Sequence, residues 1–180
     1  MKKIVSYMMT GILLLSFLLT GCGSQEPQTG KKMSMYYINT AETKVEVHEQ
    51  YLNTKTLDEQ LDETMRYLST TPEKLEYKAP LDMGFRVLDY EVEDGKLLIN
   101  VDKAYSELSP TTEVLVRAAI VRTLTQLPNV KYVGITVEDS QLYDNAGEMV
   151  GWMNADQFIN NDGNEINTYE LVKVKLYFAN

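Results

Sequence analysis

Three kinds of apolar spacing divide the chain, and the densest lies between Thr111 and Glu138, TTEVLVRAAIVRTLTQLPNVKYVGITVE. Ser109 before Pro110 reads as an N-cap and first helical position, because proline's missing N–H costs nothing where a helix offers no partner. From there Leu115, Val116, Ala119, Ile120, Leu124 and Leu127 form a wide stripe that Ala118 and Val121 broaden. Only Glu113, Arg117, Arg122 and Gln126 ask for water, so the spacing predicts a helix buried on most sides. Pro128 and Asn129 stop it. Val133, Ile135 and Val137 then alternate with Tyr132, Thr136 and Glu138, the period of a strand with one buried face.

Period-two spacing also marks the flanks. Met33, Met35 and Tyr37, then Val45, Val47 and Tyr51, predict two strands joined at Asn39-Thr40-Ala41-Glu42. Thr56 and Glu59 match a capping box ahead of the helical face Leu57, Leu61, Met65 and Leu68. Thr70 to Gly84 reads as a loop. Leu88, Tyr90 and Val92 lead into Asp94-Gly95, and Leu97, Ile99 and Val101 lead out, a hairpin whose turn needs positive φ at both central residues. The order strand, strand, helix, strand, strand, helix, strand predicts an α+β fold. Its mixed/antiparallel sheet would carry two helices on one face and leave the other more polar.

The third kind is the absence of a period. Glu138 to about Glu170 has none, a length uncommon for a bare loop. Within it Asn154 is a candidate cap for a short helix holding Phe158 and Ile159, and NNDGNEIN, Asn160 to Asn167, is a polar turn. Val172, Val174, Leu176 and Phe178 then alternate as a last strand. Lys173 to Asn180 aligns without gaps on Lys32 to Asn39, with identity at the lysine, the first tyrosine and the asparagine. Residues 171–180 are therefore either a strand completing the sheet or the start of a truncated second repeat.

At the other end Lys2 and Lys3 precede an apolar run, Ile12 to Leu19, too short for a bilayer and right for a signal peptide. It closes on Leu19-Thr20-Gly21-Cys22, which resembles the bacterial lipobox, so residues 1–21 read as a lipoprotein leader and Cys22 as the lipidated residue. An ordinary signal peptide with a chance cysteine, or an uncleaved anchor, is the alternative. Two or three acyl chains, at about 0.8 kcal/mol per buried methylene, would anchor the chain stably on a membrane. Residues 22–32, with the polar GSQEPQTGKK, read as a tether whose ends lie on the order of 17 Å apart. The domain proper then spans 33–170.

Composition narrows the chemistry. The net charge of −9 argues against nucleic acid and against adhesion to anionic lipid, both of which reward clustered Lys and Arg. Cys22 is the single cysteine, which leaves no internal disulfide and no cysteine-based zinc site. His48 is the only histidine; its phase, opposite to Val45 and Val47, places it on the polar face as a surface residue. Asp89, Glu91 and Glu93 form a carboxylate row, read as a solvated strand face without a cleft rather than a glycosidase pair or cation site. An EF-hand register on the polar turn puts Phe158 and Tyr169 at the decisive ligand positions, so no metal is expected, nor any cofactor. Trp152, in Gly151-Trp152-Met153, is the candidate contact for a protein partner or wall glycan, against a reading in which it packs the long excursion onto the domain.

Four segments together resemble the GerMN domain of bacterial sporulation and germination lipoproteins: MYYINTAETKVEVHEQYL, APLDMGFRVLDYEVEDGKLLINVD, the Thr111–Glu138 core and KVKLYFAN. The resemblance covers Met33 to about Glu138 well and the rest more loosely, and it is a pattern of packing residues. It implies a membrane-tethered, extracytoplasmic module of spore-forming bacteria, similar in fold to ring-building motifs of secretion-like channels. It carries no catalytic residues. The resemblance points to a non-enzymatic interaction module in sporulation, germination or cell-envelope assembly, bound to the membrane by its lipid and to protein partners or peptidoglycan. A peptidoglycan hydrolase and a solute-binding lipoprotein are the alternatives. Neither is supported by a nucleophile motif, a convincing carboxylate pair or a two-lobed architecture.

Overall fold

The structure, a computed structural model, describes residues 30–71, 76–144 and 146–158. The leader, Leu19, Thr20, Gly21 and Cys22, most of the tether, Ile159, the Asn160–Asn167 turn and the final strand lie outside the described residues.

The chain forms β1 (Lys31–Asn39), β2 (Val45–Leu52), helix α1 (Leu57–Leu68), β3 (Tyr77–Lys78), β4 (Val87–Glu93), β5 (Lys96–Val101), helix α2 (Pro110–Leu124), β6 (Tyr132–Val137) and β7 (Ser140–Gln141). The α+β class stands. The strands divide between two hydrogen-bonded sheets where one is expected, in the orders β2-β1-β3 and β4-β5-β6-β7. β1 begins at Lys31, so the last two residues assigned to the tether already pair with Leu52 and Tyr51. Inside the expected Thr70–Gly84 loop, Tyr77 and Lys78 pair with Asn39 and Ile38.

Local signals act as their chemistry requires. Ser109 Oγ accepts the Thr112 N–H with Pro110 at the helix start, and Thr56 and Glu59 form the reciprocal capping box. Asp94 and Gly95 take φ of 49° and 81° in the β4–β5 turn. β5 and β6 run parallel with α2 between them, the crossover that puts a helix across a sheet. Ile120, Val116 and Leu124 of α2 join Leu97, Ile99, Val101 and Val133 in one cluster with no more than 1% exposure each.

α2 is buried more completely than its spacing suggests, because the four residues expected to face water are all engaged. Glu113 and Arg117 pair at 2.6 Å with side chains 13% and 14% exposed, and Glu113 accepts the Tyr105 hydroxyl at 2.9 Å. Burial, then the Glu113 carboxylate, holds the Tyr105 phenol well above its ordinary range. Arg122 lies 4.3 Å over the Tyr36 ring, and Gln126 bonds to the backbone of β1.

Two side-chain phases differ from expectation. In β2 His48 lies opposite Met35 in register and 6.5 Å from the Tyr37 ring. It is half-buried on the inner face, while Val47 is 48% exposed. Residues directly paired across antiparallel strands share a face, so the apolar alternation of β1 set the face and that of β2 misled. In β4 a register shift between Val87 and Asp89 turns Leu88 outward, 49% exposed, and keeps Val87, Tyr90 and Val92 partly buried; a bulge changes phase this way. Tyr90 donates to Asp62 of α1 at 2.7 Å, and that carboxylate, with burial second, pushes the phenol up to about 12.

Candidate functional site

The outward face of the four-stranded sheet follows from register. Glu93, Lys96 and Tyr132 make one row across β4, β5 and β6; Glu91, Leu98 and Gly134 the next; Asp89, Asn100 and Thr136 the third. The inward phase takes Leu97, Ile99, Val133 and Ile135, all in the core. As expected, the outer face is the more polar one. It is also where Trp152 comes to rest.

The indole lies on Gly134. A Cβ built there would stand 2.8 Å and 3.0 Å from the ring and 3.2 Å from Leu98, so only glycine lets the ring this close. The Lys96 ammonium sits 5.3 Å from the ring centroid, over its face. Trp152 thus packs the excursion onto the domain, as the plainer reading had it, and is nevertheless 42% exposed. Two depressions flank it. One of about 290 Å³ is lined by Glu91, Glu93, Asp94, Lys96 and Leu98, where the carboxylate row was expected to border no cleft. The other, about 120 Å³ and mainly apolar, is lined by Gly134, Ile135, Leu142, Met149 and Gly151.

The segment that delivers Trp152, without a period in the sequence, is an arm fastened by point contacts. It leaves β6 through Glu138 and Asp139 at φ of 48° and 63°, a left-handed pair that costs each non-glycine residue about 1 kcal/mol. Asn100, 4% exposed, braces this turn. Its Nδ2 donates to Asp139 at 2.8 Å and Asp89 at 3.1 Å, and its Oδ1 accepts the Asp139 N–H at 3.0 Å and the Thr136 hydroxyl at 3.3 Å. All four hydrogen-bonding positions of the amide are filled, leaving nothing buried and unmet.

Further along, Asp144 Oδ1 accepts the N–H groups of Ala146 and Glu148 at 2.9 Å each, with Gly147 at φ 79°. Val150 donates to the Leu142 carbonyl, and Met153 and Val133 exchange two backbone bonds of 2.8 Å. Arg117 Nη1 reaches the Met153 sulfur at 3.9 Å, tying the arm to α2. Asn154 stands at the expected N-cap position, but of a 3₁₀ turn, Ala155–Gln157, that Phe158 follows, and the bond there is its own N–H donating to Gln157 Oε1 at 3.0 Å; its side-chain oxygen does not cap the turn.

Gly134 and Asn100 were missed in the sequence, although both left a trace. An isolated glycine inside a strand signals a close approach, and an asparagine between Ile99 and Val101 has to find partners. Among the described residues no three His, Cys, Asp or Glu side chains gather as metal ligands would, and no helix is long and apolar enough to cross a membrane. Cys22 and the lipobox lie outside the described residues.

The sequence profile of the Germane family, described as sporulation and spore germination, matches residues 34–143. No curated protein matches the chain. Among solved structures, the tandem GerMN domains of the sporulation protein GerM from Bacillus subtilis are similar with a TM-score of 0.53 at 18% identity, over 77% of this chain and 49% of that one. The first GerMN domain of the same protein gives 0.50 at 15% identity, over 66% of this chain and 92% of that one. The chain thus spans about half the length of the tandem structure, and at these identities the likeness is one of fold. The profile match ends at residue 143, ahead of Trp152.

Proposed function

Because the chain belongs to the Germane family of sporulation and spore germination domains, we propose that it is a non-enzymatic interaction module of a sporulation or cell-envelope assembly, held on the outer face of the membrane by lipid on Cys22. Trp152 is its contact residue. The observation that carries the contact is the arrangement at Gly134. A glycine in mid-strand, a braced left-handed turn and a reciprocal bridge hold an indole that stays 42% exposed. Packing alone would be served by burying it, whereas a rigid, half-open aromatic beside polar groups is the usual anchor of a protein contact.

Anchoring rests on the sequence of the leader and is tested separately. Cys22→Ser should abolish palmitate labelling and move the protein out of the membrane fraction, while unchanged fractionation with normal cleavage would refute it. For the contact, Trp152→Ala in the native host should lower the yield of heat-resistant spores while membrane level and far-UV circular dichroism stay close to wild type. Normal sporulation would remove Trp152 from the account. Co-sedimentation of the purified domain with peptidoglycan, lost in Trp152→Ala, would instead make wall glycan the partner.

A further inference from the structure

Among the described residues, no strand covers the second edge of β1 along most of its length. β2 pairs with one edge from Lys31 to Ile38, and β3 reaches the other only at Ile38 and Asn39. At Ser34 and Tyr36 that second edge meets side chains of α2 and of the turn that follows it. The Gln126 amide accepts the Ser34 N–H at 3.0 Å and donates to the Ser34 carbonyl at 2.8 Å, the two bonds that a paired residue of a neighbouring strand would make. Thr123 Oγ1 accepts the Tyr36 N–H at 3.1 Å while giving its own proton to the Ala119 carbonyl at 2.8 Å. Thr123 is fully buried. Gln126 is held by further bonds to the carbonyls of Arg122 and Thr123, and the Arg122 guanidinium lies over Tyr36 beside them.

We propose that Thr123 and Gln126 act as a substitute strand, closing the free edge of β1 so that the three-stranded sheet does not take up a strand from a second copy of the chain. The need is physical. An uncovered edge is a template for strand addition, and β1 has the alternating Met33, Met35, Tyr37 face of a segment that pairs readily. Ordinary helix packing would satisfy the core with apolar side chains at 123 and 126. The polar pair is placed instead where backbone groups of β1 have no strand partner among the described residues. The i, i+3 spacing puts both on one side of the helical turn, facing alternate residues of one strand edge.

Two substitutions that preserve volume test this in the full chain: Thr123→Val and Gln126→Leu, singly and together. Hydrogen exchange at the Ser34 and Tyr36 amides should accelerate by up to about tenfold, as loss of a hydrogen bond worth up to about 1.5 kcal/mol implies. Sedimentation velocity should show concentration-dependent growth of larger species relative to wild type. A folded double variant that sediments as wild type does would overturn the proposal, whether or not its amides exchange faster, because the bonds would then only stabilise the fold. Should the double variant fail to fold, Thr123→Val, which removes one bond to β1 and the hydroxyl's own bond to the Ala119 carbonyl, decides by the same two readouts.

Discussion

α2 and Trp152 cover opposite faces of the four-stranded sheet, and they are held by opposite means. α2 has apolar groups on nearly every side and is fixed by many small contacts spread over its length, so no single one is decisive. The arm from Glu138 to Phe158 contributes few buried side chains, Leu142 and Met153 among them. It depends on discrete devices, among them the Asn100 brace, the Asp144 cap, the Val133–Met153 bridge and the Trp152–Gly134 contact. Distributed packing makes a region stable, whereas point fastening makes it positioned.

That difference sets the order of mutational effects. The largest belongs to Ile120→Asp. The site is 0% exposed, and an unpaired charge there should cost more than the roughly 2–5 kcal/mol of an Ile→Ala cavity, a large share of a total near 5–15 kcal/mol. Far-UV circular dichroism should show loss of the fold; a soluble variant with an unshifted melting temperature would show that α2 is not the core. Next comes Gly134→Val. Its branched side chain has to displace the indole, which should cost about 1–3 kcal/mol and lift the arm without unfolding the sheet. Trp152 is the only tryptophan, so its emission should move to the red while far-UV circular dichroism stays put. An unshifted emission maximum would mean that the ring is not seated on Gly134.

How far each region could be read in advance follows from the same contrast. α2, β1, β5 and β6 were legible because burial writes itself into spacing, and Ser109, Thr56 and Asp94-Gly95 because caps and turns have fixed chemistry. The arm was not. Its backbone is held by bridges and by polar caps such as Asp144, which leave no periodic mark. The brace at Asn100 joins residues up to thirty-nine apart, beyond any local window. The phase errors at His48 and Leu88 have specific causes: an apolar Val47 facing out from an edge strand, and a bulge that no residue type announces. Trp152 was singled out in advance, whereas the glycine beneath it, which gives it its place, was not.

Asn100→Leu should come third, at about 1–3 kcal/mol. It leaves the Asp139 N–H and the Asp89 and Asp139 carboxylates without their partner, and the loss should appear as a lower melting temperature and as faster exchange at Asp139 and Ser140. An unchanged exchange pattern there would show that the turn holds itself. The smallest effect is electrostatic. The Lys78 ammonium, at 2.5 Å, and then the Thr112 hydroxyl, at 2.6 Å, hold the Glu42 carboxyl below its ordinary range. A depressed folded value means that this stabilisation is present above the unfolded carboxylate range and is lost as pH falls through the folded value. Glu42 and Lys78 are partly exposed, so the contribution should stay within about 1 kcal/mol. Urea titrations of Glu42→Gln should therefore lose a little stability at pH 7 and converge on wild type in acid. A difference that persists at low pH would point away from the charge.

The account as a whole holds that the core stands without the arm and that the arm is a separately fastened presenter of Trp152. Native-state hydrogen exchange in increasing urea tests this most directly. The Val150 and Met153 amides, bonded to the Leu142 and Val133 carbonyls, should exchange through a partial opening with a small urea slope, well before the α2 amides from Ile120 to Leu124, which should open only with the whole domain. If the arm and α2 amides share one opening free energy and one slope, the arm is an integral part of the core and the account is wrong.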